Sequence, residues 1–110
     1  IIYKGKKLDS NYELLVAKDL DANNVKWERC KRFPYIVNNQ LHHYTPDFYL
    51  PDYDIYLDPK NDFLINNKNK LTGCTDSEKI KFVSEQNNIK ILILDHNHLS
   101  WAAIVALLNN

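Results

Sequence analysis

Apolar and polar positions change period several times along this 110-residue chain, and each change marks an element. Asp9 and Ser10 precede Tyr12, Leu15, Val16 and Leu20, whose spacing puts them on one face of a helix. Ser10 followed by Glu13 also fits a capping box. This helix is expected to end near Ala22, where Asn23-Asn24 reads as a turn. From Val25 to Phe33, apolar Val25, Trp27 and Phe33 fall at odd positions among charges, a period near two that predicts a half-exposed strand broken by Pro34. Leu41 to Tyr49 and Asp54 to Asp58 predict two more strands, joined by Leu50-Pro51-Asp52-Tyr53, so that the three form a meander. Lys60 to Thr75, rich in Asn and Lys, reads mainly as a loop, with Phe63 to Ile65 against the core. Asp76-Ser77 is expected to cap a helix from Glu78 to Gln86 that turns Ile80 and Val83 inward. Ile89 to Leu94 is a nearly unbroken apolar run, as in a strand covered on both faces, and Ser100 caps a last helix, Trp101 to Leu108. The order α-β-β-β-α-β-α predicts an α/β fold, a mixed sheet flanked by helices.

Composition bounds this reading without changing it. With 45% hydrophobic and 25% charged residues, residues 1–110 suit a single domain. Only 2 Gly and 4 Pro exclude collagen-like and low-complexity classes. No apolar run approaches the roughly 20 residues of a membrane span, so no membrane partner is expected. Two cysteines, Cys30 and Cys74, are too few for a disulfide framework and fit an intracellular setting. A start at Ile1 reads as a piece of a longer protein with further domains.

Chemistry concentrates between Pro46 and Lys60. Alternation along a strand points Tyr56, Asp58 and Lys60 one way and Ile55 and Leu57 the other, so a carboxylate and an amine project side by side. An antiparallel turn through Leu50 to Tyr53 brings Asp47 toward Asp58. Two carboxylates held together repel unless a cation or proton intervenes, which suits a hard divalent ion such as Mg²⁺. Lys60 could then orient water or neutralise charge that develops at a phosphoryl group. A strand-end ion pair between Asp58 and Lys60 is the plainer alternative.

Pro46-Asp47 followed by Asp58-Pro59-Lys60 resembles the signature of the PD-(D/E)xK nuclease superfamily, whose core is an α-β-β-β-α-β unit of restriction-endonuclease-like fold. The run Tyr44-Thr45-Pro46-Asp47-Phe48-Tyr49-Leu50-Pro51 is most similar to phage-encoded, homing-type and helicase-associated nucleases. The resemblance implies a metal-dependent endonuclease acting on DNA and leaving 5′-phosphate and 3′-hydroxyl ends. It implies Asp47 and Asp58 as ligands of Mg²⁺, with Mn²⁺ as substitute, the Pro59 carbonyl as a further ligand, Lys60 beside the attacking water, and Glu13 as a metal ligand or outer contact. Two departures from the family pattern stand out: Asp58 replaces the commoner Glu, and Pro59 takes a position usually bonded into the sheet. They motivate an alternative, a catalytically inactive nuclease-fold module for DNA binding or protein docking. Lys26, Arg29, Lys31 and Arg32, interleaved with Trp27 and Tyr35, are expected to meet a phosphate backbone, with Lys79 reaching toward the site. Fourteen basic residues balance fourteen acidic ones, yet residues 1–32 carry net +3, 33–62 net −4 and 63–110 net +1. The acidic excess surrounds the expected metal site, and tight DNA binding by so neutral a chain would call for a partner domain or a homodimer.

Overall fold

A computed structural model describes residues 1–60 and 74–109. The region from Asn61 to Gly73, including the expected contact of Phe63 to Ile65, lies outside the described residues. Among those described, the elements are β1 (Ile2–Tyr3), β2 (Lys6–Lys7), α1 (Asn11–Ala22), β3 (Phe33–Val37), β4 (Gln40–Tyr44), β5 (Phe48–Leu50), β6 (Ile55–Pro59), α2 (Asp76–Asn87), β7 (Ile91–Leu94) and α3 (Trp101–Leu108). The protein is a mixed α/β globule.

Its centre is a three-stranded sheet ordered β5-β6-β7. The short Pro51-to-Asp54 turn makes β5 antiparallel to β6, and β7, which returns after α2, runs parallel to β6. Alternation divides two cores across this sheet. Ile55 and Leu57 of β6, with Phe48, Leu50 and Leu94, pack with Val16 and Leu20 of α1 and Ile104 of α3. On the other face Tyr56, Ile91 and Ile93 pack with Ile80 and Val83 of α2 and with Phe33, Tyr35 and Tyr44 of the β3–β4 hairpin. Every β6 side chain therefore belongs to one layer or the other, and Asp58 falls by parity with Tyr56.

Helix ends follow local chemistry. Ser10 accepts the Glu13 amide, Thr75 forms a reciprocal capping box with Glu78, and Ser100 accepts the Ala103 amide. The second helix thus starts at Asp76, two residues before the expected Glu78, with Thr75 as its cap, and it ends at Asn88 in a left-handed conformation with φ 53°. On α1 the buried stripe is Glu13, Val16, Ala17 and Leu20, whereas Leu15 is exposed. The inward face is thus rotated from the expected Tyr12-Leu15 face and carries a carboxylate.

The expected strand over Val25 to Phe33 is not formed. Val25 and Trp27 are buried, but only Glu28 pairs, in an isolated antiparallel bridge with Tyr49. Trp27 instead donates its indole N–H to Asp21 at 2.9 Å, and Tyr3 donates its hydroxyl to the same carboxylate at 2.7 Å, which ties the small β1–β2 hairpin to α1. Nor does Pro34 end a strand; it lies inside β3. The outer edge of β3 is covered by α2, where the Gln86 amide bonds both the N–H and the carbonyl of Ile36 and Asn87 donates to the Pro34 carbonyl. Pro34 shares that outward edge with Ile36, so its missing N–H costs no rung with β4. The expected Leu41-to-Tyr49 strand is likewise split, into β4 and β5, by Thr45-Pro46-Asp47.

Candidate active site

Four of the expected site residues, Glu13, Asp47, Pro59 and Lys60, line one cleft of about 330 Å³ together with residues 9–12 at the start of α1. The cleft opens where β5 has ended and β6 continues. The β5–β6 ladder closes with Phe48 opposite Leu57, and Asp47, one residue before β5, turns its amide to the Leu57 carbonyl at 3.2 Å. On the other edge of β6, Tyr56 and Lys60 donate their amides to the Lys90 and Leu94 carbonyls. Backbone groups alternate between the two edges of a strand, so Pro59, like Leu57, turns its nitrogen and carbonyl toward the β5 side. There β5 has stopped, so the proline forfeits no ladder bond and its carbonyl faces the Asp47 side. The departure at the middle position of the motif is structurally accommodated.

Asp58 is fully buried, and neither carboxylate oxygen has a hydrogen bond among the described residues. Its closest charge is Lys60 Nζ, 3.5 Å from Oδ1, an ion-pair distance rather than a good hydrogen bond. Burial pushes the Asp58 carboxyl up to about 6, opposed by the charges of Lys60 and Lys79. Asp47 also rises to about 6, first by burial and then by the neighbouring Glu13 carboxylate, with Lys60 and Arg29 opposing. Burial disfavours the Lys60 ammonium, but the Asp58 and Asp47 carboxylates outweigh it and hold its pKa above the ordinary lysine value. Lys60 is thus the charge both aspartates share.

Glu13 is buried and fully engaged. One oxygen pairs with Arg29 Nη1 at 3.0 Å, and the other accepts from the Asp9 amide and the Ser10 hydroxyl. The same Arg29 nitrogen donates to the Asp47 carbonyl at 3.0 Å, so Arg29 clamps α1 to the segment that carries Asp47. Arg29 is therefore turned inward, apart from exposed Lys26, Lys31 and Arg32. Its role rests on contacts 16 and 18 residues away in sequence, which local pattern does not reveal. Lys79 pairs with Asp76 at 3.2 Å and lies over the Tyr44 ring, with its charge felt by Asp58. The Tyr44 hydroxyl is buried and has no hydrogen-bond partner among the described residues.

Among the described residues, no three His, Cys, Asp or Glu side chains converge on a single metal position. The oxygens able to meet a hard cation are those of Asp47 and Asp58 with the Pro59 carbonyl. Two buried Asp58 oxygens that lack donors among the described residues, with the buried Asp47 carboxyl sharing the charge of Lys60, are groups whose chemistry suits a divalent cation. Compared with family models, with curated proteins and with solved structures, the chain has no match. Among the described residues no helix is long and apolar enough to cross a membrane.

Proposed function

We propose that this chain is a metal-dependent nuclease domain of PD-(D/E)xK type, with a restriction-endonuclease-like core, that hydrolyses phosphodiester bonds in DNA inside the cell. The observation that carries the reading is Asp58, a buried carboxylate whose two oxygens have no hydrogen bond among the described residues, set two residues before Lys60, whose charge Asp47 also feels. A structural carboxylate normally acquires donors when it is buried. Asp47, Asp58 and the Pro59 carbonyl would hold Mg²⁺ or Mn²⁺. When bound, such an ion polarises a phosphoryl oxygen and lowers the pKa of a coordinated water. Lys60, lining the cleft at the end of β6, places a positive charge where the attacking water and the developing charge would lie. Glu13, with both oxygens engaged, acts as a positioning residue: it fixes Arg29, which fixes the Asp47 backbone.

The test is plasmid DNA incubated with the purified protein and Mn²⁺ or Mg²⁺. Cleavage that Asp47→Ala abolishes supports the reading; DNA binding without cleavage in either metal sinks it. That second outcome would favour the inactive nuclease-fold module, a reading supported by the engagement of Glu13 and by the lack of a three-carboxylate cluster among the described residues.

A further inference from the structure

A second cavity, about 280 Å³, is lined by Glu28, Arg29, Cys30, Lys31, Tyr49 and Tyr56, and its Arg29 is bonded to Glu13 and to the Asp47 carbonyl, two residues that line the cleft. The reciprocal bridge between Glu28 and Tyr49, with both N–H···O distances at 2.9 Å, lays the segment around residues 28–31 along the free edge of β5. Behind it the aromatic rings form a braced row. Tyr49 and Tyr56, cross-strand partners, have centroids 4.7 Å apart with planes inclined at 36°, and Phe33 meets Tyr56 edge-on at 5.3 Å. Lys31 Nζ stands 5.6 Å from the Phe33 centroid, and the Tyr49 hydroxyl is held by Asp54 at 2.9 Å. Burial pushes the Cys30 thiol up to about 12, so this residue serves as an apolar wall and not as a nucleophile.

A half-exposed, braced aromatic ring beside exposed Lys31, linked through Arg29 to the residues of the cleft, matches the needs of an unpaired nucleobase: a π-face to stack on and a charge for its phosphate. We propose that this cavity receives one base of a single-stranded or frayed DNA segment, stacked on Tyr49, while the adjoining phosphate lies in the cleft beyond Arg29. The inference rests on the nuclease reading and narrows its substrate to unpaired DNA. A paired base is already stacked on both faces and would have to leave its helix to enter.

The test uses the whole chain without divalent ions, so that binding is read apart from cleavage. Fluorescence anisotropy compares a labelled 12-nucleotide oligo(dT), the same strand with abasic sites throughout, and a duplex of equal length. The expected result is roughly fivefold or greater preference for the strand with bases over the abasic strand, of the size that loss of base–aromatic stacking produces. Tyr49→Leu should erase that preference, Tyr49→Phe should keep it, and Lys31→Ala should weaken both strands by one factor. Circular dichroism checks that each variant is folded. Equal binding of the two strands by the wild type, a preference that survives Tyr49→Leu, tighter binding of the duplex, or no binding at all overturns the proposal. A parallel Mn²⁺ cleavage assay separates the two readings. Cleavage without base preference retains the nuclease and loses the pocket; base preference without cleavage retains the pocket and loses the nuclease.

Discussion

Asp58 and Asp47 set the pH dependence of this protein because burial raises both carboxyls from 3.8 to about 6. A carboxyl with a higher pKa folded than unfolded binds more protons in the native state between those two values. Stability therefore falls as pH rises from about 4 to about 6 and levels off above that window. Asp58→Asn removes one of the two contributions. Its midpoint in thermal or urea unfolding should match the wild type near pH 4 and exceed it at pH 7, by about 1–3 kcal/mol on the scale of 1.4 kcal/mol per pKa unit. A midpoint below the wild type at pH 7 would show that the charge of Asp58 is already compensated. The proposed Mg²⁺ site would use the ionised carboxylates, so the stabilisation the ion adds should grow across the same window. Arg29 is the complementary case. Arg29→Met leaves Glu13 buried with only the Asp9 amide and Ser10 hydroxyl against it. The expected cost is about 2 kcal/mol or more, below the roughly 3–5 kcal/mol of a fully buried pair because Arg29 is partly exposed. Adding Glu13→Gln should recover part of the loss, which a double-mutant cycle in urea would read. Strand parity makes the Asp58–Lys60 ion pair at the end of β6 legible in sequence, whereas Asp47 reaches the cleft from the break between β4 and β5, outside any strand. Arg29 is not legible, since its two partners are brought near only by the packing of α1 against the sheet.

At the scale of elements, helix caps and tight turns carry local marks in the sequence, whereas strand pairing depends on distant neighbours. Ser10 and Ser100 cap their helices through bonds that span three residues, so sequence alone locates those starts. Thr75-x-x-Glu78 carries the same local mark, which overrides the Asp76-Ser77 reading. Val25 to Phe33 has strand periodicity without a strand, because burial of Val25 and Trp27 against α1 produces the same alternation as pairing does. Pro34 misled for a related reason: the α2 amides that cover the β3 edge are some fifty residues away. The β3–β4 turn is local again. Asn38 and Asn39 have φ of 54° and 61° between the paired residues Val37 and Gln40, the two-residue hairpin turn that needs positive φ at both positions. Asn39→Gly should raise stability by a few tenths to about 1 kcal/mol, since glycine reaches that region without steric cost. Asn39→Val should lower stability, and the pair of midpoints in thermal unfolding checks the turn assignment.

For the molecule as a whole, equal numbers of basic and acidic residues conceal a division that the fold makes spatial. The acids nearest the cleft, Asp9, Glu13, Asp47 and Asp58, gather where α1 meets the end of β6, while exposed Lys26, Lys31 and Arg32 lie along the segment that borders β5. Arg29 and Lys79 are already committed to Glu13 and Asp76, so their charges are largely spent within the protein. That leaves three exposed cations on this segment to serve as contacts for the proposed DNA strand on the Tyr49 side. Each phosphate contact on a single strand contributes about −0.7 to the slope of log Kobs against log salt. Three contacts give a slope of roughly −2, so affinity for single-stranded DNA should fall about tenfold to twentyfold between 50 and 200 mM salt. Replacing Lys26, Lys31 and Arg32 together by Ala should bring the slope close to zero while leaving the base-dependent part of binding in place, because stacking on Tyr49 releases no counterions. Mg²⁺ at the carboxylates should act in the opposite sense, strengthening binding beyond simple screening by removing the repulsion between the acidic cleft and the phosphate. A slope steeper than about −5 in the wild type would place most of the DNA contacts on other surfaces, and the triple variant would then leave it nearly unchanged.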